Sequence, residues 1–158
     1  MEKIPITAKG FRTMEAELKT LKTVERGSVI KAIAEAREHG DLKENAEYAA
    51  AREKQSFIEG RILELEGRMA CAEVIDVSKL SGDIVIFGAT VKLIDEDSEE
   101  ESIYQIVGEY EADIRKAMLY ITAPISRALI GKRKGESVEV TTPKGSKSYE
   151  IVEVIFSE

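Results

Sequence analysis

The sequence predicts an α+β protein in which an N-terminal antiparallel coiled-coil helical hairpin is followed by a small C-terminal domain with an antiparallel sheet. Between residues 11 and 72, apolar residues recur every three or four positions, which is the spacing of one face of a helix. After residue 80 they come in short β-rich runs separated by turn residues. Charged residues make up 34% of the 158 residues, more than a compact sphere needs, so we expect long, exposed helices.

The N-terminal domain, residues 1–78, is predicted to contain two helices. The first covers about residues 11–39 and the second about residues 42–72, with Gly40 between them. Each helix has one narrow apolar stripe and otherwise carries Glu, Lys and Arg, which is typical of a two-helix seam. About 30 residues per arm give a rod of roughly 45 Å with its turn at the far end. Gly60 and Gly67 are expected to mark close approach of the arms or packing against the C-terminal domain.

The C-terminal domain, residues 79–158, is predicted to contain about five strands and one short helix. β-rich runs at 84–94 and 102–107 flank an acidic turn and indicate a hairpin. A strand at 119–122 precedes a helix over 125–130, which begins after Pro124 and ends at Gly131. Runs at 137–141 and 148–156 form a second hairpin around a Pro-Lys-Gly turn. These elements describe a small α+β domain.

Composition excludes several classes of function. The chain has 23 Lys+Arg and 30 Asp+Glu, a net charge of −7, so any contact with nucleic acid must be local or mediated by a partner protein. One His and one Cys exclude a four-ligand zinc site and an intramolecular disulfide. The lone Cys71 suits a reducing cytosol, so we expect a cytoplasmic protein. The longest apolar run, residues 84–91, is too short to span a bilayer, so no membrane partner is expected.

The turn of the predicted hairpin carries carboxylates, with Asp41 and Glu44 at its tip. One interpretation is a capping box, in which Asp41 caps the second helix, Glu44 completes the box and Gly40 closes the first helix in a left-handed conformation. The other is a weak Mg²⁺ site, because Mg²⁺ is commonly held by one or two carboxylates together with water and phosphates. The two are compatible, since a capping carboxylate keeps one oxygen free. The chain supplies only half of such a site, so the hairpin is expected to deliver carboxylates into the active site of another protein.

Basic residues lie on the helices close to this turn. Arg37, Arg52 and Lys54 either pair with neighbouring carboxylates on the helix surface or contact the phosphates of a nucleic acid lying along the hairpin. Spacing alone leaves both interpretations open.

Several segments resemble one family. Residues 32–48, AIAEAREHGDLKENAEY, are similar to the tip of the Gre transcript-cleavage (transcription elongation) factors of bacterial RNA polymerase, in the GreA branch. The resemblance extends to IPIT at 4–7, IFGATV at 86–91, PISRALIGK at 124–132 and TPKG at 142–145. It therefore covers essentially the whole chain.

The resemblance implies a coiled-coil N-terminal domain and an FKBP-like C-terminal domain that docks at the rim of the polymerase secondary channel, through residues within 79–158 that it does not identify. The hairpin would then reach the polymerase active site. There, Asp41 and Glu44 would hold a second Mg²⁺ and its attacking water, so that the polymerase cuts the 3′ end of backtracked nascent RNA and arrested complexes are released. Tyr48 matches a family aromatic near the tip, and Arg52, with Arg37 and Lys54 nearby, falls in an RNA-contacting basic patch.

On this interpretation the chain is an accessory factor and not an enzyme. It needs no cofactor of its own beyond Mg²⁺ in the polymerase active site, and it binds no specific DNA sequence. Three alternatives remain open from the sequence: a channel-binding inhibitor of the polymerase, a structural adaptor without cleavage stimulation, and an independent metal-dependent nuclease. The missing ligand set argues against the last.

Overall fold

The structure is a computed structural model that describes residues 2–40 and 45–157. These residues form two compact units. One is Phe11–Cys71, and the other joins the residues up to Gly10 with those from Ala72 onward. The sequence instead places a single boundary after residue 78. The difference arises because a short N-terminal strand pairs with the strand at Ala72–Ile75 and contacts the sheet-containing unit.

The helical unit contains the two arms that periodicity predicts. The first arm begins at α1 (Ala8–Thr20), continues through a π-helical segment (Leu21–Glu25) and ends with α2 (Arg26–Arg37). The second arm is α3 (Ala46–Ala70). Val29, Ile58 and Ile62 are buried between the arms, with Leu18 and Leu21 packed against them. The seam is therefore a narrow apolar stripe, as the spacing predicts.

The π-helical segment was not expected from the sequence. The hydroxyl of Thr23 donates a hydrogen bond of 2.7 Å to the carbonyl oxygen of Lys19, one turn earlier. Such a bond from a side chain competes for the carbonyl that the helical ladder normally uses, and it commonly distorts a helix. The insertion changes which residues of the first arm face α3.

The expectation that Gly60 and Gly67 mark close packing is wrong. A Cβ placed on either glycine meets no other heavy atom within 4 Å in the part of the chain that the structure describes. Both positions are exposed on α3, so neither glycine is required there by a neighbour.

The second unit is built on a five-stranded sheet. Its strands are β3 (Thr90–Asp95), β4 (Glu101–Val107), β5 (Met118–Tyr120), β6 (Ser137–Thr142) and β7 (Gly145–Ile155). Their order in the sheet is β5-β4-β3-β7-β6. Neighbouring strands are antiparallel, as predicted, except that the edge strand β5 runs parallel to β4. The short helix α4 (Pro124–Leu129) packs with its buried Leu129 against the core of this sheet.

Strand prediction was least accurate at residues 84–94, where only the second half is a strand. The backbone of Val85 pairs instead with the segment after α4, because Val85 accepts from the N–H of Gly131 and donates to the carbonyl of Lys132, both at 2.8 Å. A turn with Gly88 at φ +88° then leads into β3. Within residues 84–89, Val85 and Ala89 are buried in the core, while Ile84 and Ile86 are exposed, and Ile84 and Val85 pair with residues after α4 and not with a strand of the sheet.

A two-stranded parallel pair, β1 (Ile4–Thr7) with β2 (Ala72–Ile75), was also not predicted. Its partners are far apart in sequence, so no local pattern signals it. Among the described residues, no helix has both the length and the apolar content needed to cross a membrane.

Candidate functional site

The distal end of the hairpin begins where α2 stops. Gly40 adopts φ +102°, a left-handed conformation that favours glycine, which confirms the prediction that it closes the first arm. The N–H of His39 donates to the carbonyl of Ala36 at 3.1 Å. Beyond Gly40, the predicted metal ligands Asp41 and Glu44 lie outside the described residues.

Asn45 joins the two arms at this end. Its Oδ1 accepts the backbone N–H of Tyr48 at 3.0 Å, which caps α3. Its Nδ2 donates to the carbonyl oxygen of Ala36 on the other arm, at 2.7 Å. An Asn amide carries both an acceptor and donors, so one side chain satisfies an open N–H of one helix and adds a second hydrogen bond to a carbonyl of the other.

Asn45 also corrects the predicted start of the second helix. The helix was expected to begin at Leu42 with Asp41 as its cap, whereas α3 begins at Ala46 with Asn45 as its cap. Both residue types cap helices well. The bond to Ala36 favours Asn over Asp at position 45, because an Asp carboxylate has no N–H to donate to that carbonyl.

Tyr48 gathers two guanidinium groups from opposite arms. The guanidinium carbon of Arg37, on α2, lies 5.9 Å from the centroid of the Tyr48 ring, within the range of a cation–π contact. Nη1 of Arg52, on α3, donates to the Tyr48 hydroxyl at 3.5 Å. A hydrogen bond from Arg37 and the positive charges of Arg52 and Arg37 lower the pKa of Tyr48 below its ordinary value of 10.0, against the opposing effect of partial burial. We refer to Arg37, Tyr48 and Arg52 as the tip cluster.

The guanidiniums of the tip cluster differ from the other arginines of the hairpin. Arg26 forms two hydrogen bonds with Glu59, of 2.9 and 2.8 Å, and Arg61 forms two with Glu17, of 2.8 and 3.0 Å. These bonds lower the pKa of both carboxyl groups, because each ionised form is stabilised by the arginine facing it.

No carboxylate in residues 2–40 or 45–157 pairs with either guanidinium of the tip cluster. Among the described residues, carboxylates therefore neutralise Arg26 and Arg61 along the middle of the hairpin but not Arg37 and Arg52 near its end.

A shallow depression of about 200 Å³ lies beside the tip cluster. Ile33 and Ala34 contribute apolar surface, while Arg37 and Arg52 place charge at its edge. Ile30, which also lines it, is 53% exposed. A depression with an apolar surface and cationic residues at its edge suits a ligand that has both a flat or apolar part and an anionic part.

Lys54 does not join the tip cluster. It lines a second depression, of about 470 Å³, together with residues of α1 and the π-helical segment. Phe57, in the same depression, is 75% exposed. Of the four residues predicted to contact nucleic acid, three are thus brought together and Lys54 is set apart from them.

Two features of this site were missed from the sequence. The role of Asn45 was overlooked, although an Asn three residues before Tyr48 at a helix start is itself a capping signal. The contact between His39 and Glu47 was also missed, and His39 Nε2 lies 3.6 Å from Glu47 Oε2. Within the described ranges, no group of three or more His, Cys, Asp or Glu side chains is arranged to hold a metal ion.

Comparison with protein families gives two matches that together span most of the chain. The family described as "Transcription elongation factor, N-terminal" matches residues 4–74. The family described as "Transcription elongation factor, GreA/GreB, C-term" matches residues 80–156.

Individual relatives match over nearly the full length. The chain is 66% identical to a transcription elongation factor GreA of Ruegeria pomeroyi over 157 residues, which cover 99% of this chain and 100% of the relative. It is 68% identical to a GreA of Rickettsia canadensis over 152 residues, covering 96% of this chain and 94% of the relative. A solved structure of a prokaryotic elongation factor GreA/GreB from Nitrosomonas europaea is 26% identical over 98% of this chain and 100% of its own, with a TM-score of 0.44.

Proposed function

Because this chain belongs to the GreA/GreB family of transcription elongation factors, we propose that it binds bacterial RNA polymerase through the secondary channel and stimulates the polymerase's own cleavage of backtracked nascent RNA. The cut releases the 3′ end of the RNA and rescues arrested complexes. The chain acts as an accessory factor in the cytoplasm, and the catalytic framework belongs to the polymerase.

One observation supports this proposal most strongly. Two guanidiniums from opposite arms meet on Tyr48, and neither pairs with a carboxylate in the described part of the chain. The cluster lies at the end of the hairpin, close in sequence to Asp41 and Glu44. Positive charge that no described carboxylate neutralises, close in sequence to acidic residues, suits a site that holds an RNA backbone close to a metal-assisted phosphoryl reaction.

The tip cluster would bind and orient the RNA. Arg guanidiniums bind phosphates through parallel hydrogen bonds, and the contact of Arg37 with the Tyr48 ring limits the freedom of its side chain before RNA arrives. The depression beside the cluster accepts an apolar face, such as that of a ribose or a base, with its phosphate toward Arg37 and Arg52.

Asp41 and Glu44 would supply carboxylates for a second Mg²⁺ in the polymerase active site. Their chemistry fits this metal, because Mg²⁺ prefers hard oxygen ligands and usually keeps several waters. When bound, Mg²⁺ supplies an activated water and stabilises the charge of an in-line phosphoryl displacement. Asn45 directly follows this segment and holds the ends of α2 and α3 together, which limits how far the tip can splay.

Transcript length in a stalled, backtracked polymerase complex tests the proposal. Wild-type protein is expected to shorten the RNA, and the isosteric variants Asp41→Asn and Glu44→Gln are expected to cleave much more slowly at the same Mg²⁺ concentration while still binding polymerase. Glu53→Gln, which removes an exposed carboxylate from α3, serves as the matched control and should cleave normally. Shortening of naked RNA without polymerase would make the chain a nuclease, and binding without cleavage would make it an adaptor or an inhibitor of the channel.

RNA crosslinking in the same complex tests the tip cluster. Arg37→Ala and Arg52→Ala are expected to reduce crosslinking to the RNA 3′ segment. Arg26→Ala is the matched control, because that guanidinium is already bound by Glu59 and has less free charge to offer. Lys54→Ala asks whether the second depression also lies on the RNA path. Equal crosslinking by wild type and both tip-cluster variants would remove the cluster from the proposal.

A further inference from the structure

The start of α1 has an incomplete capping box. Thr7 is positioned as the cap, since its hydroxyl oxygen accepts the N–H of Gly10 at 3.0 Å. In a complete box, the residue at position 10 would be Glu or Gln, and its side chain would accept the N–H of Thr7. Glycine cannot do so, and the N–H of Thr7 needs another acceptor because Thr7 is only 4% exposed.

Glu111 supplies that acceptor from a distant part of the chain. Its Oε1 accepts the N–H of Thr7 at 2.9 Å, across 104 residues of sequence. Its Oε2 accepts a short hydrogen bond from the Thr7 hydroxyl. The carboxylate therefore takes the place that a Glu at position 10 would fill in a local capping box.

The glycine at position 10 is explained by the same carboxylate. A Cβ built on Gly10 would lie 2.6 Å from Cδ and 2.8 Å from Cγ of Glu111, closer than real Cβ atoms come to other atoms. A side chain at position 10 and the present position of Glu111 exclude each other. The box is thus divided between two segments, and each half requires the other.

The turn that carries Glu111 is itself held against β1. Oε1 of Glu111 also accepts the N–H of Gly108 at 3.2 Å, and the N–H of Glu111 donates to the carbonyl of Gly108 at 3.1 Å. A Cβ at Gly108 would overlap the carbonyl oxygen of Pro5. All of these contacts lie within the compact unit that contains the sheet. We call Thr7, Gly10, Gly108 and Glu111 the capping joint.

We infer that Glu111 is a positioning residue for RNA cleavage, because it fixes the first turn of the helix that continues into the hairpin. α1 runs without interruption from Ala8, in the unit that contains Glu111, to Thr20, in the helical unit. Loss of the joint would let the start of α1 fray. Because a helix is stiff, a more variable orientation at its start would also make the position of its far end more variable. The inference rests on the proposed function, since it concerns delivery of the tip acids.

A pair of variants separates capping from positioning. Glu111→Ala removes both the cap and the link between the two segments. Glu111→Ala combined with Gly10→Glu restores a local capping box in the space that Glu111 has vacated, but not the link. Glu111→Gln keeps an acceptor for the N–H of Thr7 and is the conservative control.

Each variant is assayed with backtracked polymerase at a temperature below the melting transition of that variant. Two quantities are measured: the maximal cleavage rate, and the factor concentration that gives the half-maximal rate. Glu111→Ala and the double variant both lack the link between the two segments. In both, the maximal cleavage rate is expected to fall about tenfold to a hundredfold, with little change in the factor concentration that gives the half-maximal rate. The double variant should recover the melting temperature without recovering the rate, and Glu111→Gln should keep the rate.

The inference is overturned if Glu111→Ala or the double variant folds and cleaves at the wild-type maximal rate. It is also overturned if neither variant folds, because the joint would then be purely structural. A parallel rise in the half-maximal concentration, with an unchanged maximal rate, also overturns it by assigning the joint to docking. Absence of cleavage with wild-type protein would instead contradict the proposed function, so the two failures are distinguishable.

Discussion

Replacing Asn45 by Ala tests whether one side chain holds the two arms together at the tip. The change removes the cap on Tyr48 N–H and the hydrogen bond to the carbonyl of Ala36. Loss of an N-cap costs about 1 kcal/mol. Loss of a neutral amide–carbonyl hydrogen bond costs about 1 kcal/mol more. Local opening of the first turn of α3 should therefore become easier by about 2 kcal/mol, a factor of about 30 in its equilibrium constant.

Amide exchange at Ala49 reports this opening, because its N–H donates to the carbonyl of Asn45 at 3.1 Å in the first turn of α3. Exchange measured by NMR should be about 30-fold faster in Asn45→Ala. Asn45→Asp is the matched control: it keeps the cap but has no N–H for Ala36, and it should accelerate exchange about fivefold. Unchanged exchange in Asn45→Ala would refute the reasoning, and equal acceleration in both variants would refute the capping part of it.

Three further predictions concern the helical unit. Gly60→Ala should raise the free energy of unfolding by about 0.5–1 kcal/mol, because no neighbour crowds the new Cβ and Ala favours the helix; chemical denaturation followed by circular dichroism measures it, and a loss of stability would contradict it. The pair of Glu17 with Arg61 should stabilise the hairpin above pH 4.5, the ordinary pKa of Glu17, and this contribution should disappear as the pH falls through the lowered pKa of the folded state. Comparing the free energy of unfolding of wild type and Glu17→Gln across pH isolates the contribution of this pair. The difference in unfolding free energy should shrink on acidification, and a difference that stays constant would exclude the contribution. Tyr48 should ionise at lower pH than an ordinary tyrosine, and Arg37→Leu should raise its pKa toward the ordinary value, as followed by absorbance of the tyrosinate; an unchanged titration would exclude the interaction.

Local patterns predicted the helices well, and non-local bonds explain the errors. The three-and-four spacing placed both arms, because a seam between two helices imposes that period on each of them. The start of the second arm was assigned to Asp41 because the local sequence offers two good caps. In the described residues Asn45 caps α3 and bonds to Ala36 across the hairpin, and spacing along one helix carries no information about such a bond.

Long-range contacts also account for the strand errors. The whole helical hairpin separates β1 from β2 in sequence, so no turn signal lies between two adjacent strand patterns. Residues 84–89 form a short apolar run, which resembles a buried strand in sequence, although only part of the run, including Val85 and Ala89, is buried in the core. β3 therefore begins later than predicted.

The candidate site was predictable as a set of residue types but not as an arrangement. Arg37, Tyr48 and Arg52 were each proposed from the sequence. The contact of Arg37 with Tyr48 depends on the register between the arms, whereas Arg52 lies four residues after Tyr48 on the same helix. Lys54 lies on the same helix as Tyr48 and Arg52 but lines a different depression, because two residues along a helix turn a side chain to another face. The divided capping box at Thr7 and Glu111 could not be predicted from local sequence patterns, because 104 residues separate its two halves.

The central claim is that the chain lends carboxylates to a metal in the polymerase active site, and the Mg²⁺ dependence of transcript cleavage tests it most directly. Cleavage rates in a backtracked complex are measured over a range of Mg²⁺ concentrations with wild type, Asp41→Asn and Glu53→Gln at saturating factor. The account predicts that Asp41→Asn requires more Mg²⁺ to reach half of its maximal rate, because one oxygen ligand has lost its charge, whereas Glu53→Gln follows wild type. Identical Mg²⁺ dependence for all three proteins would contradict it.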